Sequence, residues 1–131
     1  MKIQKISAIT LKTTNMKKSY EFYSKIPGLI LSYGGPDSLF SSFEIRDDNN
    51  DSRSFINLEY SKDKNIGTNF GRIIIYSTDV DNLYQFFRNN KEIYKLIGIR
   101  NKPRDANWGE RYFHISDPNG YEISFAQLAS K

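Results

Sequence analysis

The stretch from Trp108 to Phe125 constrains the fold more than any other part of the chain. Asp117-Pro118-Asn119-Gly120 predicts a tight turn. Pro118 presets φ at the second turn position, Asn119 tolerates either helical region, and Gly120 accepts positive φ. The residues on both sides alternate. Phe113 and Ile115 point one way; Tyr112, His114 and Ser116 point the other. After the turn, Tyr121, Ile123 and Phe125 share one face, and Glu122 and Ser124 share the opposite one. Period two with one apolar face predicts a half-buried antiparallel hairpin. The second face carries a chemistry that is neither plain surface nor plain core.

Composition narrows what such a hairpin can belong to. The chain has 131 residues, enough for a single domain spanning 1–131 with a real core. It has no cysteine, which excludes a disulfide framework and thiolate chemistry and fits a reducing cytoplasm. No apolar run reads as a signal segment or membrane span, so no membrane partner is expected. The formal net charge is +4, but lysines and arginines are interspersed with acids. Scattered charge reads as a solvated face, and no nucleic-acid partner is expected. Nine tyrosines and nine phenylalanines supply core packing, and also what a pocket for a flat organic ligand needs.

Read in order, the chain predicts strand, helix, strand, strand, strand, twice. Residues 6–13 alternate, with Ile9 and Leu11 on one face and Ala8, Thr10 and Lys12 on the other. Asn15 caps a helix from Met16 to Lys25, which Pro27-Gly28 stops. Strands follow at 29–33, 39–46 and 53–60, with a polar turn at 47–51. On the last of these, Phe55, Asn57 and Glu59 oppose Ile56, Leu58 and Tyr60. A polar linker at 61–69 separates the modules, about 5–61 and about 69–128. The second starts with a strand at 70–77, where Ile73 and Ile75 oppose Arg72, Ile74 and Tyr76. Asp79 caps a helix to Asn90 that buries Val80, Leu83, Phe86 and Phe87. A strand at 94–100, a loop at 101–107 containing Pro103, and the terminal hairpin complete it.

The fold class is therefore α+β: two βαβββ modules, with helices outside a mixed sheet curved into a cup. The concave faces would carry Ala8, Thr10, Asn57, Glu59, Arg72, Tyr76, Tyr112, His114, Glu122 and Ser124, each out of phase with its strand's apolar positions.

Paired modules, the segment Ser19-Tyr20-Glu21-Phe22-Tyr23, and Trp108-Gly109 with Asp117-Pro118-Asn119-Gly120-Tyr121-Glu122-Ile123 resemble the vicinal oxygen chelate superfamily. This group includes glyoxalase I, extradiol dioxygenases and bleomycin-binding resistance proteins. Gly67-Thr68-Asn69-Phe70-Gly71 is similar to the glyoxalase I branch, and Trp108-Gly109-Glu110-Arg111 to the bleomycin-resistance branch. The resemblance implies a homodimer. It also implies a divalent metal (Ni, Zn, Mn or Fe) held by His, Gln or Glu on the first, fourth, fifth and eighth strands. Those places fall on Ala8, Asn57, Arg72 and Ser124, none of them a strong ligand, and Arg72 sets a cation where a metal would sit.

The reading that follows is a cofactor-free protein that binds or sequesters an organic small-molecule ligand, aromatic and anionic in character, in the cup. Its ligand-binding candidates are Asn57, Glu59, Arg72, Tyr76, Trp108, Arg111, Tyr112, His114, Glu122 and Ser124. Arg72 either pairs internally with Glu59 or Glu122 or meets a ligand carboxylate or phosphate. Trp108 either covers core or stacks on a planar group. His114 is either a hydrogen-bonded strand residue or a base. The alternative is a metal-dependent glyoxalase I-like lyase or isomerase, whose ligand set has moved to Glu59, His114 and Glu122, the three catalytic candidates. A third reading is an interaction domain whose cup is filled by its own side chains.

Overall fold

The computed structural model describes residues 1–48, 51–67 and 70–128. Asn49 and Asn50 of the expected polar turn, and Thr68 and Asn69 of the glyoxalase-like stretch, lie outside the described residues. The chain divides into two compact units, Met1–Lys64 and Asn65–Lys131.

In the first unit, β1 (Ala8–Thr13) leads into α1 (Met16–Tyr23), then β2 (Leu29–Tyr33), β3 (Phe40–Arg46) and β4 (Arg53–Tyr60). The sheet order is β1-β4-β3-β2, with β1 parallel to β4 and the other pairs antiparallel. Asn15 caps α1 through its side chain, which accepts from the Lys18 amide at 3.1 Å. The helix buries Met16, Ser19, Phe22 and Tyr23, spaced along one face. Phe22, Tyr23, Phe43, Leu11, Ile56 and Leu58 form the core beneath it. Alternation then leaves Thr10, Ser42, Glu44, Asn57 and Glu59 on the sheet face away from α1.

The second unit repeats this topology with β5 (Arg72–Tyr76), α2 (Val80–Asn89), β6 (Gly98–Ile99), β8 (Glu110–Ser116) and β9 (Glu122–Leu128). The sheet order is β5-β9-β8-β6, with β5 parallel to β9; β7 (Arg104–Asp105) pairs with β8 beside β6. The repeat of element order read from the sequence is thus a repeat of strand order as well. Asp79 caps α2 by accepting from the Asn82 amide at 3.0 Å. The turn of the terminal hairpin is closed from inside. Buried Asp117 accepts from the Asn119 and Tyr121 amides at 2.8 and 2.9 Å, and Gly120 takes φ +90°. Gly67 lies so close to the Asn119 carbonyl, at φ +80°, that a side chain there would collide with this turn.

Four expectations need correction. The 94–100 segment is mostly not strand. Asn90 ends α2 in extended geometry and caps another turn, α3 (Lys91–Tyr94), accepting from Glu92 and Ile93 amides at 3.1 and 3.4 Å. Ile93 is fully buried there, and only Gly98 and Ile99 reach β8. The α2 stripe is Val80, Leu83, Tyr84 and Phe87, not one containing Phe86. Phe86 sits about 100° around the helix from Phe87 and outside the i, i+3, i+4, i+7 set. It stays 38% exposed while Phe87 is fully buried. The first helix also stops at Tyr23, and the fifth strand is shorter at both ends than 70–77. Among the described residues, no helix is long and apolar enough to cross a membrane.

Phe87 meets Phe113 and Phe125 at ring-centroid distances of 6.1 and 5.4 Å, so it ties α2 to both strands of the hairpin. Phe87→Ala is expected to lower unfolding free energy by about 4 kcal/mol. Phe86→Ala should cost about 1 kcal/mol or less. Urea denaturation of the two variants checks the assignment, and equal losses would contradict it.

Candidate functional site

In the first unit, the polar sheet face is largely self-satisfied. Asn57 accepts from the Ser42 hydroxyl at 2.7 Å and donates to the Thr10 hydroxyl at 3.2 Å, so both ends of its amide are occupied. Ala8, where a first-strand ligand would fall, offers no donor atom. Glu59 is exposed near the end of β4. Buried Glu44, which the sequence reading did not single out, accepts from Arg46 at 2.6 Å and Arg53 at 3.1 Å. These hydrogen bonds, Arg46 first, hold its carboxyl below the usual range.

The second unit gathers most of the candidates. Phe113, Ile115, Ile123 and Phe125 are buried on the α2 side, so the residues between them must lie on the opposite face. The strand register then sets three rows across the sheet. Arg72 lies beside Glu122, which lies beside Ser116; Ile74 beside Ser124 and His114; and Tyr76 beside Ala126 and Tyr112. Arg72, Tyr76, Tyr112, His114, Glu122 and Ser124 therefore share one face, as the phase of each strand predicted.

Their contacts form two connected groups. One is aromatic. The Trp108 ring stacks on Tyr112 at 5.8 Å and 21°, and Tyr112 meets the His114 ring at 4.8 Å. The indole Nε1 donates to Glu110 Oε1 at 2.8 Å, and the Tyr76 hydroxyl donates to the other oxygen of Glu110. Those bonds, Tyr76 before Trp108, lower the Glu110 pKa, and Glu110 in turn raises that of Tyr76. Trp108 is thereby fixed in place while remaining 67% exposed.

The other group is charged. Arg72 pairs with Glu122 at 3.4 Å, and Arg100 approaches the second oxygen of Glu122 at 3.9 Å. Arg104 donates to the Tyr112 hydroxyl at 2.8 Å and lies 5.6 Å from that ring's centre. Between these groups, His114 Nδ1 and buried Ser124 Oγ are 2.5 Å apart. Burial is the first cause holding the His114 pKa below its ordinary value; Arg72 is the second. Glu122 opposes them, while Arg104 and Arg100 push the same way as Arg72.

Four residues are placed differently from the expected set. Arg111 lies on the α2 side of β8, out of phase with Tyr112 and His114. It donates to both oxygens of Asp81 at 2.8 and 2.9 Å and to Asp105 at 3.2 Å. These bonds raise its pKa and lower that of Asp81. Conversely, Arg100, Arg104 and Glu110 join the site although sequence reasoning passed over them. Arg100 and Arg104 flank Pro103 in a segment whose strands are too short to show a period. A hollow of about 290 Å³ lies beside α2, lined by Tyr84, Gln85, Arg88, Asn89 and Lys102, and belongs to neither group. Among the described residues, no three His, Asp or Glu side chains gather at metal-binding spacing.

Residues 5–125 match the family model of the Glyoxalase/Bleomycin resistance protein/Dioxygenase superfamily. No curated protein matches the chain in sequence. Several solved structures share its fold at low identity. A glyoxalase/bleomycin resistance protein/dioxygenase from Nocardioides is 18% identical, with a TM-score of 0.68 over 99% of this chain and 87% of that one. The bleomycin-binding protein of bleomycin-producing Streptomyces verticillus, solved with copper(II)-bleomycin, is 16% identical, with a TM-score of 0.66 over 100% of both chains. A bleomycin resistance determinant encoded on transposon Tn5 is 14% identical, with a TM-score of 0.66 over 95% of this chain and 98% of that one. At these identities the likeness speaks for the fold alone. The chain belongs to the glyoxalase/bleomycin resistance protein/dioxygenase superfamily.

Proposed function

We propose that this protein binds a small planar organic molecule on the Trp108–Tyr112–His114 face, without a metal, and serves to sequester it. The observation that carries this reading is the state of Trp108. Its ring is oriented by Glu110 and Tyr112, yet the residue stays 67% exposed. An indole that merely covered core would lose that exposure. A pre-oriented aromatic surface costs little conformational entropy when a flat ligand stacks on it. Likeness in fold to a bleomycin-binding protein and a bleomycin resistance determinant supports binding as the role.

The residues at the family's ligand positions do not fit a metal. Ala8 has no donor, the Asn57 amide is engaged at both ends, Arg72 is a cation, and the Ser124 hydroxyl is held by His114. Elemental analysis after incubation with Ni²⁺, Zn²⁺, Mn²⁺ and Fe²⁺ should give well under one metal per chain. Near-stoichiometric metal, lost on Glu59→Ala or Glu122→Ala, would instead favour a lyase or isomerase with a relocated ligand set.

Stacking predicts that a bound planar compound perturbs Trp108 fluorescence. Trp108→Phe should keep part of the affinity, whereas Trp108→Ala should lose about three- to tenfold, the worth of one aromatic pair. Calorimetric titration of both variants against the same compound checks this.

His114 is the sole histidine, so its ring signals titrate alone. Proton NMR should give a native pKa below the ordinary 6.5. The sign for stability follows from this. The unfolded chain takes up the proton first, so the contribution is full above about 6.5 and declines as pH falls from there towards the native pKa. Glu122→Gln should lower the native pKa further, because it removes the opposing charge. A native pKa above 6.5 would overturn the burial and charge assignment.

A further inference from the structure

The arginines of the second unit fall into two kinds. Arg111 is satisfied by two carboxylates, Asp81 and Asp105, at 2.8 to 3.2 Å. Arg72, Arg100 and Arg104 are not. Arg72 and Arg100 share a single carboxylate, Glu122, at 3.4 and 3.9 Å. Arg104 contacts the Tyr112 hydroxyl and ring. The face's other acid, Glu110, is taken by Tyr76 and Trp108. Three cations thus stand around His114 against one loosely held anion. The side chains of Arg72, Arg100 and Glu122 are 47%, 53% and 39% exposed, so they are within reach of a ligand.

Resting on the stacking reading above, we infer that the ligand is an aromatic oxyanion, whose carboxylate or phosphate is held by Arg72, Arg100 and Arg104 while its ring stacks on Trp108. The two groups adjoin through Tyr112, which stacks with Trp108 and bonds Arg104, so one molecule with a ring and an acidic group spans both. Guanidinium forks match carboxylate and phosphate oxygens in plane and spacing. Glu122 would be the internal substitute for the ligand's anion, with its long contacts easily exchanged for better ones. Burial is the largest cause of the depressed His114 pKa, and the three arginines add to it against the one acid that opposes them. The same excess disfavours a cationic ligand.

The experiment is calorimetric titration of the full chain with four probes on one ring system: 1-naphthoate, 1-naphthyl phosphate, 1-naphthamide and 1-naphthylmethylammonium. At least one of the two anions is expected to bind at least tenfold tighter than the neutral amide, and the cation weakest of all. Whichever anion leads distinguishes carboxylate from phosphate ligands. Affinity for that anion should fall with added salt. Arg100→Gln and Arg104→Gln, both at exposed positions, should each lower it three- to tenfold with little effect on the amide. Arg88→Gln, at an exposed α2 position where the arginine contacts Tyr84 and Tyr94, should leave it unchanged. Equal binding of amide and anions would overturn the oxyanion inference and leave the stacking reading standing. No binding by any probe would overturn both. An equal loss on Arg88→Gln would reduce the effect to net charge and overturn the site.

Discussion

Phe113 on β8 and Phe125 on β9 pair across the hairpin at 5.5 Å and both lie against Phe87 of α2. That three-ring contact fixes which way every other residue of the two strands must point. With period two, burying Phe113, Ile115, Ile123 and Phe125 against the helix turns Tyr112, His114, Glu122 and Ser124 to the other side. The candidate site is therefore a consequence of the core. A slip of one residue would put a carboxylate and an imidazole under α2 and the phenylalanines in their place. The buried Asp117 carboxylate guards against such a slip, because its two amide bonds set the turn length.

The site's chemistry comes from incomplete satisfaction. In the first unit, polar groups close on one another: Asn57 with Ser42 and Thr10, and Glu44 with two arginines. In the second, the same kind of sheet face leaves an oriented indole exposed, two guanidiniums sharing one carboxylate at long range, and a third on a tyrosine hydroxyl. A fold repeated twice has thus been used differently in its two copies, and the difference lies in side chains rather than in strand order.

Much of this was legible in the sequence, for identifiable reasons. β4 and the terminal hairpin alternate over seven or eight residues, long enough for their phase to be unmistakable, and the turn has its own chemistry in Asp-Pro-Asn-Gly. The facing of Asn57, Arg72, Tyr76, Tyr112, His114 and Ser124 followed from that phase. Where elements are short, the pattern failed. A two-residue strand has no period, so β6 reads as the longer strand 94–100, β7 falls in a predicted loop, and Arg100 and Arg104 cannot be placed on the polar face. Adjacent phenylalanines at 86 and 87 are equally apolar to a sequence reading, and only the packed stripe chooses between them.

By itself, the sequence determined the element order, the two-module repeat and the hydrophobic phase of the long strands, because these depend on local periodicity and turn chemistry. Tertiary structure decided which charges meet. Arg111 and Arg104 are seven residues apart and alike in composition. Yet one is neutralised by Asp81 of α2, thirty positions away, and the other rests on a tyrosine across a two-residue bridge. Ion pairing is a matter of distance through space, and spacing along the chain does not encode it until the sheet register has been set.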